Sequence, residues 1–80
     1  MDKTSIYDIN ILRDELILLD LKEIINILKE RGYNPFNQLV GYLTTHDELY
    51  ITSYKNARKM IKKYEIDEII NVLLKNALGE

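Results

Sequence analysis

Between residues 16 and 31 the apolar positions Ile17, Leu21, Ile24, Ile25 and Leu28 recur every three or four residues, the period of one buried helix face. Asp20 and Glu23 stand early in this stretch, Lys29 and Arg31 in its last turn, and Gly32 just beyond. That order suits the helix dipole and a left-handed C-terminal stop. The start is less defined: Asp20 is one cap, and a start near Asp14 would take residues 16–19 inside. Residues 1–10 mix polar side chains with scattered Ile and Tyr and show no sustained period. They read as the larger part of a flexible N-terminal tail, residues 1–12, ahead of a single helical domain, residues 13–80.

Gly32, Tyr33, Asn34 and Pro35 spell a stop followed by a restart, with Pro35 suited to a first helical position where its missing N–H costs nothing. A short helix is predicted over 35–45, burying Leu39, Val40 and Leu43. Gly41 inside it costs up to ~1 kcal/mol relative to Ala. Either another helix approaches closely there or the defect is tolerated. A third helix is predicted from Thr52 or Ser53, with Ala57, Met60, Ile61 and Tyr64 inward. The next apolar set, Ile66, Ile69, Ile70, Leu73 and Ala77, is shifted in phase. Two helices meeting near residues 65–67, with Asp67 as cap, account for the shift. The fold class is therefore all-α: a compact bundle of about four to five short helices.

Eighty residues make one small domain, whose core alone supplies ~3–5 kcal/mol. The chain has no Cys, so disulfides and thiolate metal sites are excluded; its lone His46 has no ligand-spaced partner, and no metal or cofactor is expected. Self-association, as a homodimer, or unusually good helix packing remains as the further source of stability. Eleven basic against 13 acidic residues give a net charge of −2, which argues against a broadly basic nucleic-acid surface. With no run of 18 apolar residues and no basic-then-apolar leader, the reading is a cytoplasmic protein without membrane insertion.

The acidic pairs Asp14-Glu15, Asp47-Glu48 and Asp67-Glu68 are sequence neighbours, which do not face one another on a helix, so none forms an acid–base couple. No nucleophile elbow, P-loop or dinucleotide turn is present, and nothing points to an enzyme. Lys55, Arg58, Lys59 and Lys62, spaced i, i+3, i+4, i+7 with Lys63 beside them, would share one helix face. Such a basic stripe suits phosphate or an acidic partner segment. Thr4 and Ser5 are hydroxyls in a segment open to a kinase.

The run Gly32-Tyr33-Asn34-Pro35-Phe36-Asn37-Gln38-Leu39-Val40-Gly41-Tyr42-Leu43 resembles the signature of the IreB/ReoM family of small regulatory phosphoproteins of Gram-positive bacteria. The similarity continues through Asp47, Tyr50-Ile51, Tyr54 to Arg58, Ile61, Glu65 and Asp67 to Ile70. The resemblance implies a helical homodimer whose tail is phosphorylated by the transmembrane Ser/Thr kinase that senses the cell wall, and dephosphorylated by its phosphatase. Counting back from Gly32 puts Thr4 at the family's phosphothreonine, with Ser5 second. The implied output is control of peptidoglycan synthesis and cell-wall antibiotic tolerance, through Clp protease components acting on the first committed peptidoglycan-precursor enzyme. The chain departs from the family pattern at Thr45-His46-Asp47-Glu48, at Thr52-Ser53 and at Ile66, where two basic residues are lost. Its residues 10–19 are also more apolar than the family's. The alternatives are a phosphorylation-independent protein–protein adaptor and a helix-turn-helix-like nucleic-acid binder using residues 55–63.

Overall fold

The chain folds around one long helix, α1 (Lys3–Glu30), in a computed structural model that describes the backbone of residues 3–79 and the side chains of residues 11–79. At 1.5 Å per residue α1 is about 42 Å long, which sets the longest dimension of a 47 × 24 × 19 Å molecule. Ile17, Leu21, Ile24 and Leu28 turn inward from it, as their spacing predicts, and Ile27 joins them. The helix starts earlier than the 14–20 window read from sequence. The backbone of residues 3–12, expected as a flexible tail, continues α1, because helical geometry propagates one hydrogen bond per residue once a packed segment has nucleated it.

The stop at Gly32 is a Schellman motif. Gly32 has φ +83°, its N–H donates to the Lys29 carbonyl at 2.9 Å, and the Tyr33 N–H reaches back to Leu28 at 2.9 Å. Two residues later α2 (Pro35–Thr45) begins. Asn34 is extended, and its side-chain oxygen accepts from the N–H groups of Phe36 and Asn37, at 3.1 Å each. Pro35, Leu39 and Tyr42 are the residues α2 buries. Val40, expected in the core, is 59% exposed. It lies one residue, or 100°, round from Leu39, and the narrow inward stripe of α2 is filled by the Tyr42 ring instead.

The third helix is much shorter than its spacing predicts. After a 3-10 turn at Glu48–Tyr50, capped by Asp47 accepting from Leu49 N–H at 2.9 Å, a second 3-10 turn covers Tyr54–Asn56. Lys55 and Asn56 both have left-handed backbone angles, φ 51° and 64°, and two such residues in succession cannot continue a right-handed helix. Only Ala57–Ile61 forms α3. The predicted phase shift near residue 65 is a real break, followed by α4 (Ile66–Leu78). Its cap is Glu65, not Asp67: the Glu65 N–H donates to the Glu68 side chain at 3.3 Å, as in a capping box.

Helices α2, α3 and α4 all pack on α1. Ile51, Ala57, Ile61, Ile69 and Val72 complete a core with no buried polar or charged residue among those described. α4 crosses α1 steeply. Glu68 and Lys75, about 10 Å apart along α4, pair with the consecutive residues Arg13 and Asp14. The described residues thus comprise four α-helices and no strand, the all-α class expected.

Candidate functional site

Most of the signature segment builds the corner between α2 and the chain that follows it. Gly32 supplies the left-handed stop, Asn34 the cap, and Pro35 a buried first helical position. Gln38 Nε2 donates to the Tyr50 carbonyl at 2.8 Å, tying α2 to the first 3-10 turn one helical turn before Gly41. At Gly41 the Tyr50 ring lies directly against the helix backbone: an added Cβ would stand 2.5 Å from Tyr50 Cδ1 and 2.8 Å from Cζ. The close approach read from the sequence is real, but it is made by an aromatic ring on a 3-10 turn. Tyr42 is buried, and its hydroxyl pKa is raised because burial disfavours the phenolate. Tyr33 and Asn37, with Phe36 and Val40, face outward.

The basic residues are dispersed rather than aligned. Lys55 lies outside α3 and reaches Glu30 with Nζ at 3.0 and 3.1 Å from its carboxylate oxygens, which raises the lysine's pKa. Lys63 pairs with Asp20 at 3.0 Å on the α1 side. The single stripe predicted over residues 55–63 is therefore corrected, because the left-handed pair at residues 55–56 breaks the helical spacing it requires. Arg58, Lys59 and Lys62 do come together, around a hollow of about 290 Å³ shared with Glu48, Ser53 and Asn56. Two of the three are already engaged. Arg58 Nε donates to the Ile51 carbonyl at 2.9 Å, and Lys62 pairs with Glu48 at 2.9 Å.

Behind α3 a polar cluster joins three elements. Tyr64, 6% exposed, donates its hydroxyl to Asp20, whose carboxylate also meets Lys63. Arg13 stands 5.5 Å over the Tyr64 ring and bonds Glu68 through both Nε and Nη2. Burial, then the Asp20 contact, push the Tyr64 pKa up to about 12. The Arg13 bond holds the Glu68 carboxyl below its ordinary range. Sequence reasoning missed this cluster, since Asp20 is on α1, Tyr64 in the link between α3 and α4 and Glu68 on α4, with no shared motif.

Thr4 and Ser5 fall in the first turns of α1, with side chains outside the described residues. Along a continuous α1 the Glu30 partner of Lys55 is about 39 Å from Thr4, and the Asp20 partner of Lys63 about 24 Å. Both pairs lie beyond the reach of a phosphate on a helical Thr4. His46 is exposed at the left-handed end of α2, beside a shallow hollow of about 410 Å³ lined by Glu65, Ile66, Asp67 and Ile70. No group of three or more metal-ligating side chains gathers among the described residues, and no helix of theirs is long and apolar enough to cross a membrane.

The described residues thus form a small all-helical module whose signature residues hold its backbone and whose charges lie on its surface. More particularly, residues 2–79 match the model of the IreB regulatory phosphoprotein family, and the chain belongs to that family. It is on that ground a regulatory phosphoprotein, as the signature over residues 32–43 implies.

Proposed function

We propose that this chain is a non-enzymatic, dimeric switch in the control of the cell wall, set by a transmembrane Ser/Thr kinase and its phosphatase acting on Thr4, with Ser5 the second choice. The observation that carries this reading is the family match over residues 2–79, which includes the segment holding Thr4. A phosphate adds about −1.5 to −2 charges to a chain of net charge −2, roughly doubling it at one end of α1. Because Lys55 and Lys63 pair with α1 residues about 39 and 24 Å from Thr4, the added charge acts on a partner rather than by docking on them. The output is control of peptidoglycan synthesis and antibiotic tolerance, through Clp-type proteolysis of the first committed precursor enzyme. The outward face of α2, with Tyr33, Phe36, Asn37 and Val40, and the hollow of Arg58, Lys59 and Lys62 supply partner-facing surface in the cytoplasm. The adaptor alternative shares these surfaces and lacks only the switch. The nucleic-acid alternative is disfavoured by the pairing of Lys55, Lys62 and Lys63 with carboxylates.

The test is incubation of the full chain with its cognate kinase and site mapping by mass spectrometry, followed by Thr4→Ala and Thr4→Glu in cells. Modification at Thr4 and opposite cell-wall antibiotic phenotypes are expected. Identical phenotypes for the two variants would favour the adaptor.

A further inference from the structure

Four cations of the described surface each meet a carboxylate of their own: Arg13 bonds Glu68, Lys55 meets Glu30, Lys63 meets Asp20 and Lys75 meets Asp14. The hollow beside α3 is different. Arg58, Lys59 and Lys62 line it against a single carboxylate, Glu48. Glu48 pairs with Lys62 at 2.9 Å, but both side chains are about half exposed, and such a pair is weak and exchangeable. Arg58 spends its Nε on the neutral Ile51 carbonyl at 2.9 Å, which fixes the guanidinium without cancelling its charge. Lys59 takes part in none of the ion pairs found among the described residues. An excess of two positive charges is thus gathered around about 290 Å³. Ser53, at the head of the second 3-10 turn, and Asn56, at the head of α3, complete the rim. Side chains of this kind ordinarily bond the turn they precede, and neither does so here. Their hydroxyl and amide are left for a ligand.

We propose that this hollow is a receptor for a phosphorylated serine or threonine side chain. A phosphate monoester carries about −1.5 to −2 charges and three acceptor oxygens, which matches two surplus cations with a hydroxyl and an amide donor beside them. A carboxylate brings one charge and two oxygens and leaves part of the rim unmatched. The Nη groups of Arg58, which the Ile51 bond does not use, suit a paired contact with phosphate oxygens, and Lys59 and Lys62 act as point charges. Glu48 is the resident competitor: as phosphate enters, Lys62 turns from the carboxylate to the incoming group. Nucleic-acid phosphates are diesters with one charge each, and the flanking Lys55 and Lys63 that a strand would need are held by Glu30 and Asp20. Two sources offer the monoester, the chain's own Thr4 segment and a phosphorylated partner. The inference adds a receptor to the switch proposed above, and synthetic peptides test it whether or not a kinase modifies Thr4.

The test is fluorescence anisotropy of labelled peptides titrated with the full chain, at about 50 mM salt, where surface charge is weakly screened. The probes are residues 1–12 phosphorylated on Thr4, the same peptide unmodified, and a phosphothreonine peptide of scrambled sequence. Both phosphorylated peptides are expected to bind at least about tenfold more tightly than the unmodified one. Tighter binding of the 1–12 sequence than of the scrambled one assigns the group to the chain's own segment; equal binding assigns it to a partner, and either result upholds the receptor. Lys59→Ala is expected to weaken binding about tenfold, and Glu48→Gln to tighten it about threefold. Lys55→Ala, which removes the same charge outside the hollow, should change it by less than about twofold. Arg58 is left in place because it also holds the Ile51 carbonyl, and circular dichroism confirms that each variant folds. No preference for the phosphorylated peptides, or a loss at Lys55 as large as at Lys59, overturns the receptor and leaves the kinase switch standing. A Thr4 that its kinase does not modify overturns the switch and leaves the receptor.

Discussion

Gly41→Ala separates two effects of opposite sign. In a free helix the change is favourable by about 1 kcal/mol, because Ala is the better helix former. Here the new Cβ would lie 2.5 Å from Tyr50 Cδ1 and 2.8 Å from Cζ, where carbon pairs ordinarily keep about 3.5–4.0 Å. The ring must move by about 1 Å or more, while the Tyr50 backbone is held by Gln38 Nε2 on its carbonyl at 2.8 Å. Overpacking of this kind costs about 1–3 kcal/mol, and the half-exposed ring, free to swing partly outward, puts the cost near 2. The net expectation is a loss of about 1 kcal/mol, or roughly 4–8 °C in Tm for a domain of this size. In a Tyr50→Ala background the obstacle is gone and the same change should stabilise by about 1 kcal/mol. The coupling between the sites is then about 2 kcal/mol. Urea unfolding followed at 222 nm, at one fixed protein concentration, measures all four corners of the cycle. If Gly41→Ala has the same effect with and without the ring, the close approach is not what keeps glycine at this position.

Two further outcomes rest on single side chains. Asn34→Ala removes the acceptor of the Phe36 and Asn37 N–H groups and should cost about 1 kcal/mol in the same assay, with Asn34→Asp retaining most of it. Tyr64 has its folded pKa raised to about 12 from an ordinary 10, so its contribution is complete below pH 10 and is lost as pH rises from there toward 12. Tyr64→Phe should flatten that alkaline decline and remove the tyrosinate absorbance that appears near pH 12; an unchanged alkaline titration would refute the burial argument.

The local signals at the helix ends were legible because they act over a few residues. Gly32 after a basic last turn, Asn34 before Pro35, and the inward period of Ile17, Leu21, Ile24 and Leu28 each specify geometry from nearest neighbours, and each is found in the structure. The basic stripe was misread for the converse reason. Regular spacing implies one face only if the backbone stays helical, and Lys55 and Asn56 are left-handed, with Lys55 meeting Glu30 of α1. The same holds for Val40, exposed because the Tyr42 ring fills the space expected for it, and for the Tyr64 cluster drawn from three elements.

The sequence by itself determined an all-α chain, the stop at Gly32 and the break near residue 65, and membership of a regulatory phosphoprotein family, because helix period, capping chemistry and a signature run are all short-range properties. Only the tertiary structure decided that Gly41 answers to Tyr50, that the lysines are divided among separate carboxylates, and that α1 turns Leu12, Leu16 and Leu19 away from the core. These depend on which surfaces meet across the fold, and a linear pattern limits those pairings without choosing among them.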